Sequence, residues 1–163
     1  MVDRLTTGQR RLNMSRVRSK DTIPEMTVRR LLHSLGLRFR LHRRDLPGTP
    51  DIVLPRHRLA LFVHGCFWHG HCCPLFRIPA TRSEFWTSKI EVNRRRDGAA
   101  RIGLLEDGWR TLCVWECALR GRGRLSEGEL SLAVTGFING DQREGNIAGR
   151  LSAAEAGIGE GDV

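Results

Sequence analysis

Ten consecutive residues, His64-Gly65-Cys66-Phe67-Trp68-His69-Gly70-His71-Cys72-Cys73, hold three of the six histidines and three of the five cysteines of this chain. Zinc prefers thiolate and imidazole ligands, usually four of them in a tetrahedron. Cys66, His71 and Cys73 are close enough in sequence for one short loop to close around an ion, and Cys117 is the best remaining candidate for the fourth ligand. Buried free cysteines and ordinary polar histidines are the plainer alternative, but six such residues in ten favour a metal. Disulfides fit poorly, because the cysteine number is odd and the compartment reads as reducing. Cys113 reads as a strand core residue, and Cys72 has no assignment. A loop of this composition has no apolar core of its own, so an ion would fix its shape and metal binding would be coupled to folding. Phe67 and Trp68 then have two readings. They pack into the core, the usual fate of aromatics, or they are held outward as a wedge that enters a base stack. Residue type alone favours the core.

The same loop begins beside a second candidate group. Leu46-Pro47-Gly48-Thr49-Pro50 is a turn that delivers Asp51 to a short strand, Ile52-Val53-Leu54. After a further turn over 55–58, Leu59 to Val63 form a continuous apolar run that suits a buried strand. Paired as a hairpin, Leu54 faces Leu59 and Asp51 faces Phe62. Alternation then sets Asp51, Val53, Phe62 and His64 on one face. A carboxylate and an imidazole project together at the open end of a buried hairpin.

Other elements must hold these two groups. Thr22-Ile23-Pro24-Glu25 reads as a helix start, with Thr22 as cap and Glu25 at the capping-box position. Val28, Leu31, Leu32 and Leu35 form its apolar stripe, and Gly36 stops it. Residues 37–41 alternate as a strand with a basic outer face, Arg38 and Arg40. A long helix is expected from Glu84 to about Glu106, with Trp86, Ile90, Ala100 and Leu104 on one stripe together with Asn93 and Asp97. Trp109 to Trp115 suit another buried strand leading to Cys117. Ser126-Glu127-Gly128-Glu129 matches a second capping box and opens a helix with Leu130, Val134, Phe137 and Ile138 inward. Residues 139–163 are Gly-rich and polar and read as a disordered tail.

Composition bounds the function class. A chain of 163 residues with 40% hydrophobic residues suits one soluble domain. No apolar run approaches the roughly 20 residues of a membrane helix, and no secretory h-region is visible, so a cytosolic protein is expected. The net charge of +9 is carried by residues 1–44, where twelve basic residues face Asp3, Asp21 and Glu25; the rest of the chain balances fifteen against fifteen. Such a one-ended basic block, with Arg16, Arg18 and Lys20 in its arm, suggests a polyanion partner, most often nucleic acid.

At this point the motifs are familiar. Asn13-Met14-Ser15-Arg16, Asp21-Thr22, Pro24-Glu25, Leu46-Pro47-Gly48, Pro50-Asp51, His64-Gly65-Cys66-Phe67-Trp68-His69, Pro79-Ala80-Thr81-Arg82, Asn93 with Arg96-Asp97, and Trp115-Glu116-Cys117-Ala118-Leu119-Arg120 form a set. From about residue 10 to 138 the chain resembles the very short patch repair (Vsr) endonucleases. The resemblance implies an α/β fold of the restriction-endonuclease-like kind, a mixed central sheet flanked by helices, with a structural Zn²⁺ and a catalytic Mg²⁺. It implies a basic DNA-contacting arm at 1–20 and an endonuclease domain at 21–138; the tail at 139–163 lies outside the resemblance. Members of the family nick one strand 5′ of the T in a T·G mismatch left by deamination of 5-methylcytosine, which starts repair. The implied partners are double-stranded DNA and mismatch-repair proteins, with no membrane, a monomeric state, and a bacterial cytoplasmic, nucleoid-associated location.

Carried over residue by residue, the resemblance makes Asp51 the Mg²⁺ carboxylate and the backbone carbonyl of Val63 a second Mg²⁺ contact. Related nucleases have a Glu-x-Lys pair on the second strand where this chain has Val63-His64-Gly65. Some relatives have Thr at position 63, but a carbonyl contact does not depend on the side chain. His69 becomes the main proton-transfer residue and His64 a second active-site histidine. Glu25 either caps the first helix or lies near the metal waters. Asp97 either orients His69 or pairs with an arginine. Met14, Phe67 and Trp68 correspond to an intercalating trio, which reverses the core reading of the two aromatics.

Overall fold

The computed structural model describes residues 20–150, together with Gly8. Helix α1 (Ile23–Ser34) is followed by β1 (Arg40–Leu41), β2 (Ile52–Leu54), a 3₁₀ turn (Pro55–His57) and β3 (Leu59–His64). The long helix α2 (Ser83–Glu106), β4 (Arg110–Trp115), the short α3 (Glu116–Leu119), α4 (Glu127–Asn139) and β5 (Glu144–Ile147) complete the order. The strands form one mixed sheet in sequential order, β1-β2-β3-β4-β5. The first two pairings are antiparallel, and β3–β4 and β4–β5 are parallel.

Helices cover both faces, which is why the central strands read as unbroken apolar runs. Alternation sends Ile52, Leu54, Leu59, Leu61, Leu112 and Val114 toward α1 and α4, where they meet Val28, Leu32, Leu130, Val134 and Phe137. The opposite face is smaller: Val53, Ala60 and Phe62 pack with Leu46, Leu104 and Trp109, beneath α2. Its polar end is left for the site. The hairpin register is the expected one, with Leu54 opposite Leu59 and Ile52 opposite Leu61.

The helix signals hold at close range. Thr22 Oγ1 accepts the amide of Glu25, and Ser126 and Glu129 form the reciprocal capping box. The strand expected over 37–41 pairs only at Arg40–Leu41; Leu37 and Phe39 still turn inward against the core. Among the described residues, no helix is long and apolar enough to cross a membrane.

The expectation of a disordered tail from residue 139 needs correction. β5 adds a parallel edge strand, with Thr111 opposite Glu144 and Val114 opposite Ile147. Arg110 fixes the approach by donating to the carbonyls of Phe137, Ile138, Gly140 and Gln142. Glu144-Gly145-Asn146-Ile147 has one apolar residue, too little for any periodic signal; its pairing comes from β4, far away in sequence. Residues 151–163, and residues 1–19 apart from Gly8, lie outside the described residues.

If this strand is part of the core, Ile147→Ala should destabilise the fold by about 2 to 5 kcal/mol, the cost of emptying a buried aliphatic site. Chemical denaturation measures it, and an unchanged midpoint would return the segment to a tail.

Candidate active site and metal centre

The turn at 46–50 must bring Asp51 close under α2. Gly48 has φ +73°, and a Cβ there would lie 2.4 Å from the Cβ of Ala100, so only glycine lets the turn approach the helix. Asp51 then stands just before β2, where its Oδ2 accepts the Val63 amide at 2.8 Å. Burial raises its carboxyl to about 6, against the Val63 hydrogen bond that favours the anion; Glu25 adds like charge, while His42 and His69 oppose it. A half-buried carboxylate with one oxygen held and the other without a hydrogen bond among the described residues suits a hard divalent cation.

Across the cleft, the rings of His64 and His69 stack with centroids 3.8 Å apart and planes 2° apart. His69 Nδ1 lies 2.5 Å from Asp97 Oδ2. A carboxylate only accepts, so Nδ1 carries a proton, and in the neutral ring Nε2 then has the lone pair. Asp97 comes from the middle of α2, which passes over the open end of the hairpin. His64 Nε2 is 4.0 Å from the other oxygen, Asp97 Oδ1. Burial lowers His64 to about 4, His69 adds to the effect and Asp97 opposes it, so its imidazole is neutral at neutral pH. Asp51, His64, His69, Asn93, Arg96 and Asp97 share one cleft. Asn93 also pins the loop, donating to the Trp68 carbonyl at 2.9 Å.

The loop closes on itself through the second candidate group. One ligand atom each from Cys66, His71, Cys73 and Cys117 lies within 4.8 Å of all the others. His71 Nδ1 is 3.7 Å from Cys66 Sγ and 3.6 Å from Cys117 Sγ. Zinc bond lengths at tetrahedral angles put sulfur and nitrogen about 3.6 Å apart, so the spacing and the donor types both fit such an ion. Thiolates also need hydrogen-bond donors, and two are present. The Cys117 amide donates to Cys66 Sγ and the Gly149 amide to Cys117 Sγ, each at 3.3 Å. Gly149 must be glycine, since a Cβ would lie 2.2 Å from the Cys117 carbonyl oxygen. Burial and neighbouring sulfurs push the Cys66 and Cys117 thiols up, and burial lowers His71. The His71 ring stacks on Trp115 with centroids 4.3 Å apart, and the Cys66 amide donates to Glu116. Cys72 is exposed and outside the tetrad.

Glu25 is buried and engaged. It accepts from the Asp21 amide at 2.9 Å, one residue before the capping-box position. It also pairs with Arg29 and lies 3.1 Å from His42 Nε2. Its route to the cleft runs through His42, which lines the cleft beside Asp51 and has φ +46°. Sequence reading missed His42 and Arg29: a single histidine in a basic stripe carries no pattern. It also gave Cys113 a purely core role. Cys113 is half-buried, with Sγ 3.4 Å from His64 Nδ1, as alternation on β4 opposite Phe62 would have allowed.

Phe67 and Trp68 are half-buried, outside both core clusters. They meet edge-on at 5.1 Å, and Trp86 joins them at 5.3 and 6.1 Å, with Lys89 Nζ 5.8 Å from the Trp68 ring. The helical period had set Trp86 on the inward stripe; it belongs to this surface aromatic group. Lys20 lines the cleft. Met14, Arg16 and Arg18 lie outside the described residues.

Comparison with known proteins places the chain in a family. The family described as DNA mismatch endonuclease Vsr matches residues 2–75. The chain is similar to the type II nicking enzyme V.XorIIP of Xanthomonas oryzae pv. oryzae, 57% identical over 125 residues that cover 77% of this chain and 92% of that protein. It is 44% identical to the DNA mismatch endonuclease Vsr of Escherichia coli strain K12 over 147 residues, 90% of this chain and 94% of that protein. The type II nicking enzyme V.NmeAIP of Neisseria meningitidis is 39% identical over 122 residues, 75% and 87% of the two chains.

The raised Asp51 carboxyl sets a pH dependence. Below about 6 a proton competes with any cation at Asp51, so affinity for a divalent ion should fall about tenfold per pH unit in that range and level off above it. Mn²⁺ titration of the protein at neutral and acidic pH measures this, and a pH-independent affinity would exclude Asp51 as the ligand.

Proposed function

Because this chain belongs to the Vsr DNA mismatch endonuclease family, we propose that it nicks one strand of duplex DNA 5′ of the T in a T·G mismatch left by deamination of 5-methylcytosine. The nick would initiate very short patch repair. The observation that carries this reading is the cleft in which Asp51 shares a wall with the stacked His64 and the His69–Asp97 pair. DNA binding alone needs no such constellation.

In the proposed mechanism, Asp51 and the Val63 backbone carbonyl would hold Mg²⁺, which would supply stabilisation of negative charge at the scissile phosphate. His69 Nε2 takes the proton of the attacking water, and Asp97 steadies the imidazolium that results. His64, neutral at working pH, faces the same phosphate. Glu25 acts through its network with Arg29 and His42, which keeps a second carboxylate near Asp51. Met14, Phe67 and Trp68 are assigned to the mismatch, where an unstable step costs less to unstack. Arg16, Arg18 and Lys20 are assigned to phosphates. Cys66, His71, Cys73 and Cys117 are assigned to a structural Zn²⁺ that braces the loop carrying His69, Phe67 and Trp68. The unit is of the restriction-endonuclease-like kind and extends from residue 21 through Arg150. The same reading assigns the chain a monomeric state and a place in the bacterial cytoplasm at the nucleoid, with mismatch-repair proteins as partners.

With Mg²⁺, the protein should nick the T strand of T·G duplexes in a methyltransferase context and leave matched duplex intact. Cutting of matched DNA would replace mismatch specificity with general nuclease action, and binding without cleavage in every context would remove the enzyme reading. Asp51→Ala should lower the nicking rate at least about a hundredfold, as loss of several kcal/mol of charge stabilisation implies, while DNA binding persists in a gel-shift assay. Cys73→Ser should lower zinc content by metal analysis together with the melting temperature; unchanged zinc would remove Cys73 from the site.

A further inference from the structure

His64 and His69 stack face to face, yet their ring nitrogens meet different partners. His69 presents Nδ1 to a carboxylate at 2.5 Å. His64 presents Nδ1 to the Cys113 thiol at 3.4 Å and Nε2 toward Asp97 Oδ1 at 4.0 Å. A neutral imidazole has one N–H, and its position follows from the partners of the two nitrogens.

The geometry points to Cys113 as a positioning residue that holds His64 in the Nε2–H tautomer. The parallel register makes the contact possible. Phe62 lies opposite Cys113 and His64 opposite Trp115, so the Cys113 and His64 side chains share the face under α2, one step apart along the ladder. Sulfur within 4.0 Å of a ring nitrogen is in hydrogen-bond range for so large an atom. A thiol with its proton donates through S–H, which requires a lone pair at Nδ1. Burial, reinforced by the charges of Asp97 and Asp51, pushes the Cys113 thiol up, so the proton stays on sulfur. The other side of the ring agrees. A lone pair at Nε2 would face the Asp97 carboxylate and be repelled, whereas an N–H there is attracted. Both neighbours therefore select the same tautomer.

The consequence rests on the nuclease reading above. The two stacked histidines would carry opposite tautomers: His69 with an accepting Nε2, His64 with a donating Nε2–H on the Asp97 side. His64 would then act as a hydrogen-bond donor to a phosphate oxygen and not as the base. No atom of Cys113 need touch DNA or metal.

The test uses the full-length, metal-loaded chain labelled with ¹⁵N, and long-range ¹H–¹⁵N correlation of the histidine rings, with His64→Gln to assign the His64 signals. The native chain should give the Nε2–H pattern for His64. Cys113→Val removes the donor and puts an apolar side chain that suits a strand in its place; the Nδ1–H form should rise about fivefold relative to Nε2–H, the ratio that one ordinary hydrogen bond supports. Cys113→Ser keeps a donor and should restore the native pattern, and the nicking rate should follow the Nε2–H fraction across the series. Cys113→Ala serves the same comparison if valine does not fold. An Nδ1–H pattern in the native chain, or an unchanged ratio in a variant that melts as the native protein does, overturns the assignment. The tautomer is read without DNA, so failure of the nuclease reading would appear separately, as native protein that shows the Nε2–H pattern and cuts nothing.

Discussion

Six residues of β3 run parallel to six of β4, from Leu59 opposite Arg110 to His64 opposite Trp115. Parallel pairing makes both strands end at the same edge of the sheet, and ligands of open α/β sheets gather there. Here the edge receives two loops from distant parts of the chain. One leaves β3 with His64, Cys66, His69, His71 and Cys73; the other leaves β4 with Glu116 and Cys117. The sulfur–imidazole tetrad can only assemble because this ladder brings Cys117 to the loop that holds the other three. The contact between Cys113 and His64 depends on the same register.

Charge is concentrated at that edge, and each buried group has a specific partner. Asp51 accepts the Val63 amide, Asp97 faces His69 and His64, and Glu25 is enclosed by Arg29, His42 and the Asp21 amide. Buried ions without partners cost several kcal/mol each, and these contacts offset that cost. They also hold the side chains in fixed rotamers before any substrate arrives, which is what a cleavage site needs. α2 spans the whole arrangement: Ile90, Ala100 and Leu104 bury one side of it, while Asn93 and Asp97 reach the loop and the histidines from the same stripe.

The C-terminal segment finishes the edge. β5 lies alongside β4, and the chain beyond it returns to donate from Gly149 to Cys117 Sγ and from Arg150 to the Gly123 carbonyl. A segment with little apolar content therefore acts as a strap across the proposed zinc site. Its order comes from backbone pairing, from Arg110 and from Ile147, the one side chain that it buries in the core.

The sequence by itself determined the elements whose signals are local. The caps at Thr22 and Ser126, the α2 stripe, the hairpin register and the side-by-side placement of Asp51 with His64 all follow from periods of 3.6 and 2 and from turn chemistry. The density of cysteine and histidine at 64–73 marked the candidate metal loop in the same way, and the string motifs marked the family. Tertiary structure alone decided what depends on pairings between distant segments. It set β5 at the sheet edge, gave His42 to Glu25, moved Trp86 from the core to the aromatic surface, and turned Cys113 from packing toward His64. The reason is physical: local patterns state which way a side chain faces within its own element, and only the ladder between β3 and β4, with α2 across it, states what that side chain meets.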